Sequence, residues 1–206
     1  MRSILLLTTL LLSFSIFSQS FTKVNQSENI QFFLKEKQEE IKTIQANFQE
    51  FTTNPMLKEP QKGTGTFLFA APNKIRWENK SSEIVMLMNG KIVKLYEKGR
   101  ENKSATAQKV TSHIQGMIVG MINGDFLSNG EYSIEYFQNA NNYKLLLTPK
   151  NTRMSKEIKQ MNLIFNRNTG LLNQLEMVQK GGGTVLYQFE EMKTNKAINH
   201  SKFTQL

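Results

Sequence analysis

The sequence predicts a mainly β protein with helices, of the α+β class, and three observations predict it. Apolar and polar residues alternate with the period of two of a half-buried strand in segment after segment. Turn residues punctuate those segments at short intervals. The helical period of 3.6 appears in only two stretches, residues 27–40 and 108–123.

Taken in order, residues 1–20 read as a secretory signal. Arg2 supplies the positive end, residues 4–17 form a short apolar run, and Ser18-Gln19-Ser20 offers cleavage after Ser18 or Ser20. The run is too short to span a membrane. Residues 21–206 are then expected to form a single domain beginning at Phe21. In residues 27–40, Ser27 stands where a cap is wanted and Glu28 suits the positive end of the helix dipole. Ile30, Phe33, Leu34 and Ile41 make one apolar stripe. Residues 43–53 alternate as a strand with Ile44, Ala46 and Phe48 on one face.

Residues 62–78, KGTGTFLFAAPNKIRWE, form the strongest hairpin candidate. Gly63, Gly65, Phe67 and Phe69 fall on one face of its first strand. Pro72-Asn73 marks the turn, and Ile75 and Trp77 share a face of the returning strand. Residues 83–88 and 91–96 are two further strands about Asn89-Gly90, a dipeptide that favours a type I′ turn. Met86 and Met88 share one face there; Val93 and Leu95 share another. Residues 97–105 read as a loop running into a short strand. In residues 108–123, Ile114, Met117, Ile118 and Met121 recur at helical spacing, with Gly116, Gly120 and Gly124 every four residues beside them. Strands resume at 132–138 and 143–148, a basic loop or short helix occupies 150–156, and three strands follow at 157–166, 171–179 and 184–192. The tail, 195–206, has Phe203 as its anchor.

Composition excludes several function classes. There is no cysteine, which removes disulfides, thiolate chemistry and lipid attachment through an N-terminal cysteine. Only two histidines occur, His113 and His200, and no nucleophile elbow, phosphate loop or paired-histidine metal motif is present. Glu190-Glu191 is a carboxylate pair in sequence, but neighbouring strand residues are expected to face opposite ways. The expectation is a protein that is not an enzyme and uses no cofactor or metal. The net charge of +9 comes from scattered basic residues without a dense run, so nucleic acid is not an expected partner. What remains is an apolar, adaptable face rich in aromatic residues and methionine, the composition of a surface that accepts varied shapes.

The order G-x-G-x-F then A-P-N-K-x-R-W-E, preceded by Ile44-Gln-Ala-Asn-Phe48-Gln49, resembles the LolA-type periplasmic lipoprotein carriers of Gram-negative bacteria. Met88-Asn89-Gly90-Lys91, Leu147-Thr148-Pro149-Lys150 and Lys202-Phe203-Thr204 continue the resemblance over nearly the whole mature chain. It implies an open half-barrel antiparallel sheet with helices covering its concave face. It also implies a monomeric periplasmic carrier that takes lipoproteins by their acyl chains from an inner-membrane exporter to an outer-membrane acceptor or membrane. On that reading Phe48, Phe67, Phe69, Ile75, Trp77, Met86, Met88, Val93 and Leu95 line the cavity, and Ile114, Met117, Ile118 and Met121 form a lid. One departure stands out. The family's basic residue before the hairpin proline, which helps lock the lid, is Ala71 here. This leaves two alternatives in view: another apolar cargo, such as a lipid or an aryl-polyene-like pigment precursor, and a lipoprotein-sensing domain of related fold.

Overall fold

A computed structural model of the chain describes residues 20–56, 58–104, 124–128, 130–152 and 154–206. The expected signal segment lies outside these residues except for Ser20, as do the helical stretch 108–123 and its four lid residues. Twelve strands form one antiparallel sheet that does not close: β1 (Thr22–Val24), β2 (Thr43–Thr53), β3 (Gln61–Ala70), β4 (Lys74–Asn79), β5 (Ile84–Asn89), β6 (Ile92–Glu97), β7 (Arg100–Glu101), β8 (Tyr132–Gln138), β9 (Asn142–Pro149), β10 (Ile158–Asn166), β11 (Leu172–Gln179) and β12 (Thr184–Thr194). Their spatial order is β1-β8-β9-β10-β11-β12-β2-β3-β4-β5-β6-β7. The two outermost strands, β1 and β7, have three and two residues, which leaves little edge for another chain to pair with.

Helix α1 (Glu28–Glu40) lies before β2, as the apolar stripe predicts. Ser27 occupies the cap position, but its hydroxyl accepts from Gln31 Nε2 at 2.9 Å and caps no backbone N–H. Ile30 and Leu34 are buried against Tyr136, Leu145, Leu147, Met161, Leu163 and Phe165, the inward residues of β8–β10. The stripe is shorter than expected, because Ile41 stands beyond the helix and packs with strands β2–β5 instead.

A second cluster gathers Ile44, Ala46, Phe48, Phe67, Phe69, Ile75, Met86 and Met88 from β2–β5. Tyr187 and Phe189, two residues apart on β12, pack against both clusters. Residues so spaced share a face, so both clusters lie on the same side of the sheet. That side is concave. Trp77 on β4 and Tyr187 on β12 are three strands apart, which is about 14 Å in a flat sheet, yet their ring centroids are 4.9 Å apart. The fold is therefore an open, curled antiparallel sheet, with α1 over the β8–β10 half of its concave face.

Two turns depart from local expectation. Asn89 pairs with Ile92, so the loop between β5 and β6 is Gly90-Lys91, and only Gly90 has positive φ (66°). That is the pattern of a type II′ turn, not the type I′ turn expected from Asn89-Gly90. The I′ pattern falls one hairpin later, at Lys98 (φ 48°) and Gly99 (φ 74°).

The tail packs on the convex side of β4 and β5. Arg76 alternates with the concave residues Ile75 and Trp77, and its guanidinium donates to the backbone oxygens of Gln205 (2.8 Å) and Lys202 (3.3 Å). Glu78 holds the same guanidinium at 3.0 Å. Phe203 is buried, as expected of an anchor.

Candidate functional site

The nine residues predicted to line one surface do come together. Strand pairing sets Phe67 opposite Trp77 and Phe69 opposite Ile75 across β3 and β4. It sets Ile75 opposite Met88 and Trp77 opposite Met86 across β4 and β5. Met86 then faces Leu95, and Met88 faces Val93, across β5 and β6. Phe48 on β2 is opposite Gly65, and a Cβ at that glycine would stand 2.2 Å from Phe48 Cζ and 2.1 Å from the Glu78 carbonyl oxygen. The missing side chain is what lets the Phe48 ring lie across β3 and stack on Trp77, centroids 4.5 Å apart.

The wall is not bare in this structure. Phe48, Phe67, Phe69, Ile75, Met86 and Met88 are buried, with Ile75 and Met88 fully so; Trp77, Val93 and Leu95 are half-buried. Among the described residues the cluster draws only on strands and on Ile41 and contains no side chain of α1. Among the described residues the curled sheet thus has two unlike halves, one filled by α1 and one paved by aromatic and methionine side chains. Ala71, at the expected lock position, is exposed in the turn between β3 and β4, its N–H donating to the Lys42 carbonyl at 2.8 Å.

Sequence reasoning missed the residues of β12 that extend this wall. Tyr187 stands edge-on to Trp77 and to Phe48, and Phe189 lies 6.2 Å from Phe67. The alternation of Val185, Tyr187 and Phe189 is visible in the sequence; that β12 is the neighbour of β2 is not.

A polar group sits at one end of the wall. The pairing of β2 with β3 is in register from Thr43 to Thr52, so Glu50 shares the face of Phe48. Its carboxylate accepts from Asn79 Nδ2 at 2.7 Å and from Thr52 Oγ1 at 3.3 Å, and Tyr187 is the residue paired with it on β12. Burial, then the nearby Glu50 charge, pushes the Tyr187 phenol well above its ordinary range. Burial alone raises Tyr136, on the helix-covered half, to about 12.

On the convex face, the expectation that Glu190 and Glu191 point opposite ways fails. A bulge between Glu190 and Lys193, with Glu191 at φ 51°, inserts one residue. Glu190 accepts from Gln49 and Glu191 from Asn47, each at 2.7 Å, and those two amides share one face of β2. The pair is thereby tied to neutral amides outside the concave wall. Among the described residues no group of three or more His, Cys, Asp or Glu is placed to hold a metal, and no described helix is long and apolar enough to cross a membrane.

The family profile described as "Outer membrane lipoprotein carrier protein LolA" matches residues 39–205. An outer-membrane lipoprotein carrier protein of Cronobacter sakazakii is 28% identical over 173 residues, covering 83% of this chain and 80% of its own. Its counterpart in Pseudomonas paraeruginosa is 24% identical over 164 residues, covering 79% and 76%. Among solved structures, a LolA superfamily protein of Nitrosomonas europaea aligns with 84% of this chain and 96% of its own at 15% identity and a TM-score of 0.45. The family match spans most of the chain, from the last turn of α1 through the tail, and on it this chain belongs to the LolA family of outer membrane lipoprotein carriers.

Proposed function

We propose that the protein is a non-enzymatic periplasmic carrier that holds the acyl chains of lipoproteins on the wall formed by Phe48, Phe67, Phe69, Ile75, Trp77, Met86, Met88, Val93 and Leu95. The observation that carries this reading is the continuous aromatic-and-methionine surface across β2–β6, on the concave side of an open sheet and apart from the helix-filled half. Family membership supports it. The physical need is plain. Burying acyl chain is worth about 0.8 kcal/mol per CH₂, so a sixteen-carbon chain leaving water gains about 12 kcal/mol. A lipoprotein therefore crosses an aqueous space only with most of that surface covered. Because Ile75 and Met88 are already buried, cargo must exchange with whatever covers them rather than enter an open cavity. Methionines at 86 and 88 ease that exchange, since their unbranched side chains repack at low cost.

On this reading the donor is an inner-membrane exporter, the acceptor is a protein or lipid surface at the outer membrane, and the carrier acts as a monomer. Ala71, where the resemblance expects a basic residue, favours a second reading in which the cargo is another apolar molecule. One experiment tests both: purification from the periplasm followed by mass spectrometry of what co-elutes. Acylated peptides support the first reading, a free lipid or polyene supports the second, and a protein that binds no acyl probe under any condition refutes both.

A further inference from the structure

We infer that Glu50 forms a head-group subsite for a primary ammonium at the end of the acyl-binding wall, so that the preferred ligand carries both an acyl chain and a protonated amine. The inference rests on the carrier reading above and specifies the ligand chemistry of that site. A carboxylate on this face is unexpected, because removing charge from water is costly unless it is compensated. Its two hydrogen-bond donors, Asn79 and Thr52, are both neutral. None of the ion pairs among the described residues involves Glu50. The two bonds fall on different oxygens, Oε2 from Asn79 and Oε1 from Thr52, and beyond accepting them the carboxylate brings a charge.

The surroundings suit a cation. An ionised carboxylate offers about four acceptor positions and two are used here, which leaves a position for a further donor. Glu50 is half-buried, so that position can be reached. The residue paired with it on β3 is Gly63, which puts no side chain over the carboxylate stem. A Cβ there would make ordinary contacts of 3.6 Å with Glu50 Cβ, Asn79 Nδ2 and Ser81 Cβ, so the place holds a group of about methyl size. Beside it stand Tyr187 and Trp77, ring centroids 4.9 Å apart and nearly perpendicular, and aromatic rings attract ammonium groups. The acyl wall begins at Phe48, the next inward residue on β2. A ligand lying along the wall would thus set its chain on Phe48 and Trp77 and its amine on Glu50.

Two sources share this chemistry: the free amino terminus of a lipidated peptide and the head group of an aminophospholipid. The test measures displacement of a fluorescent acyl probe from the full chain by two matched pairs. One pair is a diacylglyceryl-cysteine peptide with a free amine and its N-acetylated form. The other is palmitoyl lysophosphatidylethanolamine and its N-acetylated form. Wild type is expected to prefer the free amine by about tenfold, the scale of one hydrogen bond between charged groups. In Glu50→Gln the ratio is expected to fall to near one. Gly63→Val, which keeps the charge but fills the gap, should lower the ratio as well, and it serves if Glu50→Gln folds poorly. A preference in the peptide pair alone identifies a lipidated peptide; a preference in the phospholipid pair alone identifies an aminophospholipid; either supports the subsite. Equal binding of both members of both pairs by wild type overturns it while leaving the carrier reading intact. So does a preference that survives Glu50→Gln. Failure of every acylated ligand to displace the probe overturns the carrier reading and this subsite together.

Discussion

Replacing Ile75 by glutamate tests whether the wall at Ile75 is closed to water in solution, as it is in this structure. Ile75 has no exposed surface and sits between its cross-strand neighbours Phe69 and Met88. On an open wall a carboxylate would stay hydrated and harm only ligand binding. In the closed wall two penalties add. Losing the buried isoleucine costs about 2–3 kcal/mol. Forcing a carboxyl into that space raises its pKa by about 3 from the ordinary ~4.3, which is about 4 kcal/mol at neutral pH. The total, about 6 kcal/mol, is comparable with the ~5–15 kcal/mol stability of a typical domain. Only the second penalty depends on pH. Where the folded pKa exceeds the unfolded one, the folded state holds more protons, so the ionisation penalty is absent below pH ~4 and grows as pH rises to about 7. Urea unfolding followed by circular dichroism from pH 4 to 8, variant against wild type, is the assay. The expected result is a large loss at pH 7 that shrinks by more than half at pH 4. A variant as stable as wild type at pH 7, with no pH dependence of the difference, would refute the closed wall and show that water reaches Ile75.

Other predictions follow from single contacts. Gly65→Ala places a Cβ 2.1 Å from the Glu78 carbonyl oxygen, a backbone atom that cannot swing aside, so β3–β4 pairing should weaken and the folded yield should drop sharply in a solubility and circular dichroism comparison. Arg76→Ala removes the donors to the Lys202 and Gln205 oxygens; a loss of about 1–3 kcal/mol is expected, with faster protease trimming of the tail read by mass spectrometry. Phe203→Ala, at a residue 2% exposed, should cost about 3–5 kcal/mol and lower Tm by roughly 10 °C in a thermal melt. Because Tyr187 and Tyr136 both titrate above the ordinary phenol value of 10.0, the stability tied to their neutral forms is intact below pH 10 and lost as pH rises toward 12. Alkaline unfolding should therefore be steeper in wild type than in the double variant Tyr136→Phe, Tyr187→Phe, and equal slopes would contradict it.

Much of this protein is local, and local features were legible. A strand with one buried face shows its period of two whatever its neighbours are, which is why β2, β3–β4 and β8–β12 fall within a few residues of where alternation places them. Grouping the wall residues required only that hairpin partners face each other, and hairpins are set by short turns. β1 escaped notice because three residues hold too little pattern. What the tertiary structure decided is non-local. The adjacency of β12 and β2 joins residues more than 130 positions apart, and it alone brings Tyr187 and Phe189 to the wall and Tyr187 to Glu50. The curl of the sheet, which lets Trp77 reach Tyr187 across two intervening strands, arises from the summed twist of many pairings. The bulge at Glu191 overrode the alternation rule because one inserted residue puts two neighbours on the same face. Glu50 reads in sequence as one more polar strand residue. Only the register that aligns it with Gly63 and Tyr187 turns it into a charge at the end of an apolar wall, because side-chain spacing along a strand says which residues share a face but not what lies across from them.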